Sequence, residues 1–369
     1  MSTFKQAFKA APYKVNGHGP LTVGALQTAL ASMDPDTPAD HYGSGAIIEE
    51  FQQQMAAFVG KEAAVFFPSG TMAQQIVLRM WCDEQHCPTV AYHPLSHLEM
   101  YEEKGLHTLH PINVLTLGDS DRLFTLEDVK NLHERVACIL VELPQRDLGG
   151  ELPSLAELRA LSSYCKEHNI KLHLDGARLF EVLPYYDVSA PKICELFDSV
   201  YLSFYKGLGG VAGAVLAGDA EFMKPAKVWK RRYGGDLISL YPYIVSASDS
   251  FTLRLPRMKQ YYEQAQQLAS NYNACPLLST RPVVPVCNMF HVHIDLPKET
   301  VETILIAVMQ ETGIALTGHV NAVSDTTSFF EVTSGDLYPT VPQDKLAHAF
   351  ASLTQHLQGG VLHGNESHQ

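Results

Sequence analysis

The chain has 369 residues, 46% of them hydrophobic and 18% charged, a composition ordinary for a soluble globular protein of about two domains. Its 27 basic and 40 acidic residues leave a net charge of −13, which argues against a nucleic-acid binder held by phosphate contacts. The longest apolar stretches stop at about seven residues, well short of the roughly 18 that a membrane span needs, and the N-terminal MSTFKQAFKAAPYK lacks the apolar core of a secretory signal.

No internal repeat or low-complexity block interrupts the chain. Apolar spacing predicts helices over 21–33 and 46–59, the second closed by Gly60. Short apolar runs then alternate with helical segments. Strands are predicted at Ala63–Phe67, Thr89–Tyr92, Cys138–Glu142, Lys171–Asp175, Ser199–Phe204 and Gly213–Ala217. Helices are predicted at Thr71–Trp81, Leu126–Arg135 with Thr125 as N-cap, Leu155–Asn169 and Ala190–Phe197. Such alternation implies an α/β fold with a mostly parallel sheet sandwiched by helices. From about residue 255 the texture changes. A long helix from Met258 to about Tyr272 leads to an extended run at Val283–Ile294, a helix at Val301–Thr312, short strands at Ala315 and Phe329–Thr333, and a last helix at Gln343–Leu357. This reads as a smaller α+β C-terminal domain. The tail LHGNESHQ reads as frayed, and its Asn-Glu-Ser triplet as an incidental match to a glycosylation acceptor.

Ligands of open α/β sheets bind beyond the carboxyl ends of the strands, so the residues ending each strand carry the chemistry. Ala63–Phe67 runs through Pro68-Ser69-Gly70-Thr71 directly into a helix, giving two hydroxyls and a close-approach glycine at a helix N-terminus. That is a phosphate cradle, although the same residues serve equally as a simple N-cap. The strand Lys171–Asp175 places a carboxylate at a buried end, where it needs a cation or donors; a bridge to Arg178 is the bland account. Lys206 follows Val200, Leu202 and Phe204 in alternating register, so it projects from an apolar face. Desolvation makes such an amine neutral and nucleophilic, unless it simply snorkels to water. In this chain order, cradle, carboxylate and lysine are the parts for holding pyridoxal 5′-phosphate: one for the phosphate, one for the ring nitrogen, one for the aldehyde. The 31 residues from Asp175 to Lys206 suffice for a crossover between neighbouring parallel strands.

The stretches Tyr42-Gly43-Ser44, Gly60-Lys61-Glu62-Ala63-Ala64, Pro68-Ser69-Gly70-Thr71-Met72, Ser96-His97 with Tyr101-Glu102, His173-Leu174-Asp175-Gly176-Ala177-Arg178-Leu179-Phe180, Phe197-Asp198-Ser199-Val200, Lys206-Gly207-Leu208-Gly209 and Asn288-Met289 resemble the threonine aldolase and β-eliminating lyase family. The similarity covers roughly residues 20–295. It implies the aspartate-aminotransferase fold, or fold type I, with a seven-stranded-type sheet in a large cofactor-binding domain at 21–254. A small domain would combine 1–20 with 255–369. It implies Lys206 as the amine bonded to the cofactor aldehyde, Asp175 as partner of the ring nitrogen and His97 stacked on the ring. Ser69, Gly70, Thr71 and Ser203 would hold the phosphate, and Arg178 the substrate carboxylate. Tyr42 lies in a segment that in relatives reaches a neighbouring subunit's site, so a homodimer or homotetramer with shared sites is expected.

Two departures bear on the substrate. The family's second carboxylate-binding arginine has no counterpart, since no arginine follows Arg281. Its Glu-Asn-Thr-His motif reads Glu142-Leu143-Pro144-Gln145, and Gln145 is no base at neutral pH. Arg146, next in sequence, is the replacement expected to bind the carboxylate together with Arg178. The family's glycine-rich turn reads Gly234-Gly235-Asp236-Leu237-Ile238, and its phosphate contact is expected to move to Arg231 or Arg232. The resemblance implies a retro-aldol carbon–carbon lyase that cleaves a β-hydroxy-α-amino acid such as threonine or allo-threonine to glycine and an aldehyde. β-Elimination or transamination on the same scaffold, or a non-catalytic ligand-binding module, are the alternatives; a nicotinamide dehydrogenase lacks its glycine motif.

The remaining clusters weigh less. His291-x-His293 and Cys82-x3-His86-Cys87 lack partners for a metal site, so none is expected. The basic run Lys227–Arg232 reads as a solvated helix face. Seven cysteines, odd in number and several in apolar patterns, point to buried free thiols and a cytoplasmic protein.

Overall fold

Short apolar runs become most of the strands of a seven-stranded sheet in the computed structural model, which describes residues 3–364. These are β1 (Ala63–Phe67), β2 (Thr89–Tyr92), β3 (Asn113–Thr116), β4 (Cys138–Glu142), β5 (Lys171–Gly176), β6 (Ser199–Ser203) and β7 (Ala214–Gly218). Their spatial order is β1-β7-β6-β5-β4-β2-β3. All neighbours pair in parallel except β7, which runs antiparallel to both β1 and β6. Burial of Phe66, Phe67, Val90, Tyr92, Leu140, Leu174, Val200 and Leu216 anchors this layer. Each such side chain contributes about 1.5–3 kcal/mol.

The helix Ala46–Val59 buries Ile48, Phe51, Met55 and Val59 at three- and four-residue spacing and stops at Gly60, whose φ of +69° favours a residue without a Cβ. Asp40 is buried and accepts Ser239 Oγ at 2.9 Å, Leu240 N at 2.8 Å and Tyr241 N at 2.8 Å, which clips the chain ahead of that helix to the 236–241 loop.

This unit comprises Leu21–Leu148 and Leu152–Arg257. A second unit gathers the chain before Leu21, the short piece Gly149–Glu151 and the chain from Met258 onward. It contains an antiparallel sheet of β8 (Leu278–Arg281), β9 (Met289–Ile294), β10 (Asn321–Ala322) and β11 (Ser328–Thr333), ordered β10-β11-β9-β8. Phe290, Val292 and Ile294 share a core with Phe330, Val332 and the helices Met258–Asn273, Lys298–Thr312 and Gln343–Gly364.

Several local expectations shift. The helix after Thr125 is only Leu126–Lys130; its start is set by a Thr125–Asp128 capping box and it closes at Asn131. The run Val283–Ile294 is extended only from Met289, because prolines at 282 and 285 remove ladder donors. Helices Leu179–Tyr186, Ala220–Arg232 and Tyr241–Arg254 join those expected. Within Lys227–Arg232, Lys230 is not solvated: it is 3% exposed, with Nζ 3.5 Å from Asp236. His291 and His293 flank Phe329, and His293 stacks on that ring at 5.7 Å. Among the described residues no three His, Cys, Asp or Glu side chains gather as a metal site, and no helix is long and apolar enough to cross a membrane. All seven cysteines are buried, and none is in a disulfide. The last helix continues to Gly364, and the Asn365-Glu366-Ser367 triplet lies outside the described residues.

A buried polar chain joins the sheet to the helix Gly70–Gln85. Trp81 Nε1 donates to Ser199 Oγ at 2.8 Å, and Ser199 Oγ meets His173 Nδ1 at 2.7 Å. His173 Nε2 meets Gln74 Oε1 at 2.7 Å. With Gln74 Oε1 accepting, Nε2 carries the imidazole proton and Nδ1 accepts the Ser199 hydroxyl, so every group is satisfied by a neutral ring. Burial holds the His173 pKa down at about 3. The unfolded chain takes up a proton here below about pH 6.5, whereas the folded protein does not, so acid favours unfolding. Between about pH 6.5 and 5, wild-type stability should fall more steeply than that of His173→Gln, by up to about 1.4 kcal/mol per pH unit. Denaturant titrations at stepped pH measure this, and parallel slopes would refute it.

Candidate active site

The carboxyl ends of β4, β5 and β6 lie side by side, with Glu142 opposite Asp175 and Asp175 opposite Tyr201 in the strand register. Beyond them lies a cleft lined by the start of the Gly70–Gln85 helix, His97, Glu142, Arg146, Asp175, Arg178, Tyr205 and Lys206.

At the helix N-terminus, Ser69 is the cap residue, yet its hydroxyl makes no capping bond. Gly70 and Thr71 line the cleft, so the first-turn N–H groups lie at its edge. A Cβ on Gly70 would run into the Tyr201 hydroxyl and lie 2.6 Å from that of Tyr205, so only glycine lets backbone and phenols meet here. The two phenol oxygens are 3.3 Å apart.

Asp175 is 2% exposed, and its Oδ1 accepts the Ala177 N–H at 3.1 Å. Burial raises its pKa from the usual carboxylate range, with that hydrogen bond, His97 and Lys206 pulling the other way. The bland partner for this carboxylate is absent from the geometry, because Arg178 Nη1 is instead 3.2 Å from both Glu181 carboxylate oxygens. Burial and repulsion from Asp175 likewise raise the pKa of Glu142.

Lys206 does not sit on a strand. β6 ends at Ser203, and the chain turns so that Phe204 N bonds the Gly213 carbonyl. The amine therefore enters the cleft from the strand end, within 5.5 Å of the Tyr205 ring centre. Its pKa is lowered by burial first, then by Arg178 and Arg146. His97 is oriented from behind: Nδ1 is 3.2 Å from Glu102 Oε1, and the buried Glu102 also accepts Gln75 Nε2 at 2.9 Å.

The structure thus brings together Gly70, Thr71, His97, Arg146, Asp175, Arg178 and Lys206. Ser69, Ser203, Tyr42 and Gln145 are not among the lining residues. Ser203 Oγ is buried without a hydrogen-bond partner at the end of β6. Tyr42 is 46% exposed, with Arg231 over its ring at 5.8 Å. Gln145 Nε2 donates to the Leu95 carbonyl at 3.0 Å and to Glu142 Oε2 at 3.2 Å. Neither Arg231, held 3.3 Å from Asp236, nor Arg232, over the Trp229 ring, lines the cleft.

Gln74, Tyr201, Tyr205 and Glu142 line it without having been singled out from sequence. Glu142 carried a readable signal, since it ends a buried strand just as Asp175 does. The donor set suits pyridoxal phosphate: a helix N-terminus for an anion, a buried carboxyl for a protonatable ring nitrogen and a desolvated amine for an aldehyde.

The family described as beta-eliminating lyase matches residues 22–295. A Listeria monocytogenes structure, named as an L-allo-threonine aldolase, is 49% identical, covers 96% of this chain and 98% of its own, and superposes with a TM-score of 0.95. An Exiguobacterium structure, named as an aromatic amino acid β-eliminating lyase/threonine aldolase, is 52% identical over 96% of this chain and 99% of its own, with a TM-score of 0.93. Low-specificity L-threonine aldolase 1 of Arabidopsis thaliana is 24% identical over 86% of this chain and 90% of its own length. The chain belongs to the β-eliminating lyase family of pyridoxal-phosphate-dependent enzymes, built on the fold type I scaffold.

Proposed function

We propose that this chain is an aldehyde-lyase that breaks the Cα–Cβ bond of a β-hydroxy-α-amino acid of the threonine type, releasing glycine and an aldehyde. The observation that carries the reading is one cleft holding a desolvated lysine, a buried carboxyl, an imidazole and two guanidiniums over a helix N-terminus. Relatives named as threonine aldolases support the reaction class.

Gly70 and Thr71 would hold the cofactor phosphate through backbone N–H groups, with the Ser69 and Ser203 hydroxyls as further donors. Lys206 would engage the aldehyde, its amine made easier to deprotonate by burial and by the neighbouring arginines. Asp175 would keep the ring nitrogen protonated, and His97 would cover a ring face. When bound, pyridoxal phosphate supplies a sink for the electron pair left on Cα as the Cα–Cβ bond breaks.

Arg146 and Arg178 would grip the substrate carboxylate and orient the bond to be broken. The β-hydroxyl proton must leave as the aldehyde carbonyl forms. Gln145 cannot take it, because an amide is not basic and this one is tied to Leu95 and Glu142. His97 is the group for that proton: Nδ1 faces Glu102, so Nε2 takes it, and Glu102 stabilises the imidazolium. The proton taken by His97 balances the one that Cα gains, and Lys206, as the ammonium, would give that proton from Nζ, completing glycine.

The deciding assay is aldehyde release from the four stereoisomers of threonine with glycine quantified in the same samples. One Cα configuration should yield equimolar products, and Lys206→Ala should abolish both these and the borohydride-reducible cofactor adduct. Four inert isomers with cofactor plainly bound would refute the reading. Arg146→Ala should raise KM about 10- to 150-fold, the loss of a charge-assisted hydrogen bond of roughly 1.5–3 kcal/mol, with a smaller effect on kcat. An unchanged KM would remove Arg146 from the carboxylate site.

The working unit we propose is a cytoplasmic homodimer or homotetramer with shared sites. Tyr42, Ile238 and Tyr241 support it: they are 46%, 64% and 36% exposed on adjoining loops tied by the Tyr42 N–H to Ile238 carbonyl bond of 3.0 Å. If Tyr42 serves a neighbour's cleft, mixing refolded Tyr42→Ala and Lys206→Ala chains should recover activity that neither has alone. Mixtures as inactive as their parents, once hetero-oligomers are verified, would exclude sharing through Tyr42.

A further inference from the structure

The chain beyond β4 folds back onto its own last carboxylate. Glu142 Oε1 accepts the backbone N–H of Arg146 at 3.2 Å, and Oε2 accepts Gln145 Nε2 at 3.2 Å. The backbone of His97 also faces this carboxyl and favours its charged form. Gln145 Nε2 reaches in addition to the Leu95 carbonyl at 3.0 Å. Two segments are thereby stitched together where β2 and β4 pair, one at 93–97 and one at 143–148. Each presents a single charged or titratable side chain of the proposed mechanism to the cleft: His97 from the first, Arg146 from the second.

We propose that Glu142, with Gln145 as its clasp, is a positioning residue that sets His97 and Arg146 in register with Asp175 and Lys206. The proposal rests on the reading of the cleft as an amino-acid site. A carboxyl buried beside another, as Glu142 is beside Asp175, is unfavourable for stability alone. Backbone and amide donors converging on it offset that cost and confer orientation, because each hydrogen bond fixes one carboxyl oxygen in direction as well as distance. The clasp also accounts for Gln145 pointing away from the cleft. An amide donates to two oxygens at once, on Leu95 and Glu142, and so ties both segments through one side chain.

The test uses holoenzyme of wild type, Glu142→Ala, Glu142→Gln, Gln145→Ala, Arg146→Ala and the Glu142→Ala/Arg146→Ala pair. Two readouts need no turnover: the glycine Kd from the absorbance change of bound cofactor, and the visible circular dichroism that reports its orientation. Glu142→Ala should raise the glycine Kd about tenfold and diminish the visible dichroism, while Glu142→Gln, which retains an accepting oxygen, should stay within about threefold of wild type. The double variant should bind glycine no worse than Arg146→Ala alone, because Glu142 acts through Arg146. Should Glu142→Ala fail to fold, Gln145→Ala decides: the clasp predicts a Kd raised about threefold. Wild-type Kd and dichroism in the alanine variants, or losses that multiply in the double variant, would overturn the proposal. Absence of aldehyde from every threonine isomer would sink the lyase reading while leaving these two readouts able to decide this one.

Discussion

Carboxyl groups buried at the ends of parallel strands constrain everything else in the cleft. Asp175 and Glu142 stand opposite each other in register, where water screens their repulsion poorly and burial disfavours ionising both. Cationic groups must therefore come close, and three do: Lys206, Arg146 and Arg178. Burial, and after it the two arginines, lowers the lysine pKa in turn. The result is an amine with a lowered pKa close to a buried carboxyl.

A site balanced this finely needs walls that do not drift. The His173 chain supplies one support, running from Trp81 through Ser199 to Gln74, so that the helix carrying Gly70 and Thr71 is fastened to β5 and β6 beneath the cleft. Glu102 supplies another by holding His97 Nδ1 while itself held by Gln75. Both supports are buried and belong to the elements that line the cleft, where Gln74 and Glu102 are themselves lining residues, so the residues that orient the chemistry come from the same elements as those that perform it. Substitutions distant from the reacting atoms can then act through orientation alone.

The strand ends were legible because two independent regularities coincide there. Asp175 ends a strand buried within the sheet, and Lys206 follows an alternating apolar pattern, so each declares itself as a costly burial. The helix after Ala63–Phe67 and its glycine were equally plain, since a strand running directly into a helix leaves few ways to cap the turn. Glu142 carried the same signal but was read only as part of a motif with a missing histidine. Arg178 was legible as a cation but not in its pairing: its contact with Glu181 instead of Asp175 depends on where the helix Leu179–Tyr186 starts. Strand β3 escaped notice because an edge strand, half exposed, lacks the continuous apolar run of its neighbours.

By itself the sequence determined the α/β alternation, the strand that ends in Asp175, the glycine at the cradle and the lysine beyond the last parallel strand. These follow from local pattern and from the cost of burying a charge, both of which act along the chain. Only the tertiary structure decided the strand order, the antiparallel placement of β7, and which polar residues after β4 face the cleft. Arg146 enters it and Gln145 does not, although the two are adjacent. That choice is made by a carboxylate and a carbonyl from separate segments, and no periodicity in one stretch of chain encodes which acceptor another stretch will bring within hydrogen-bond reach.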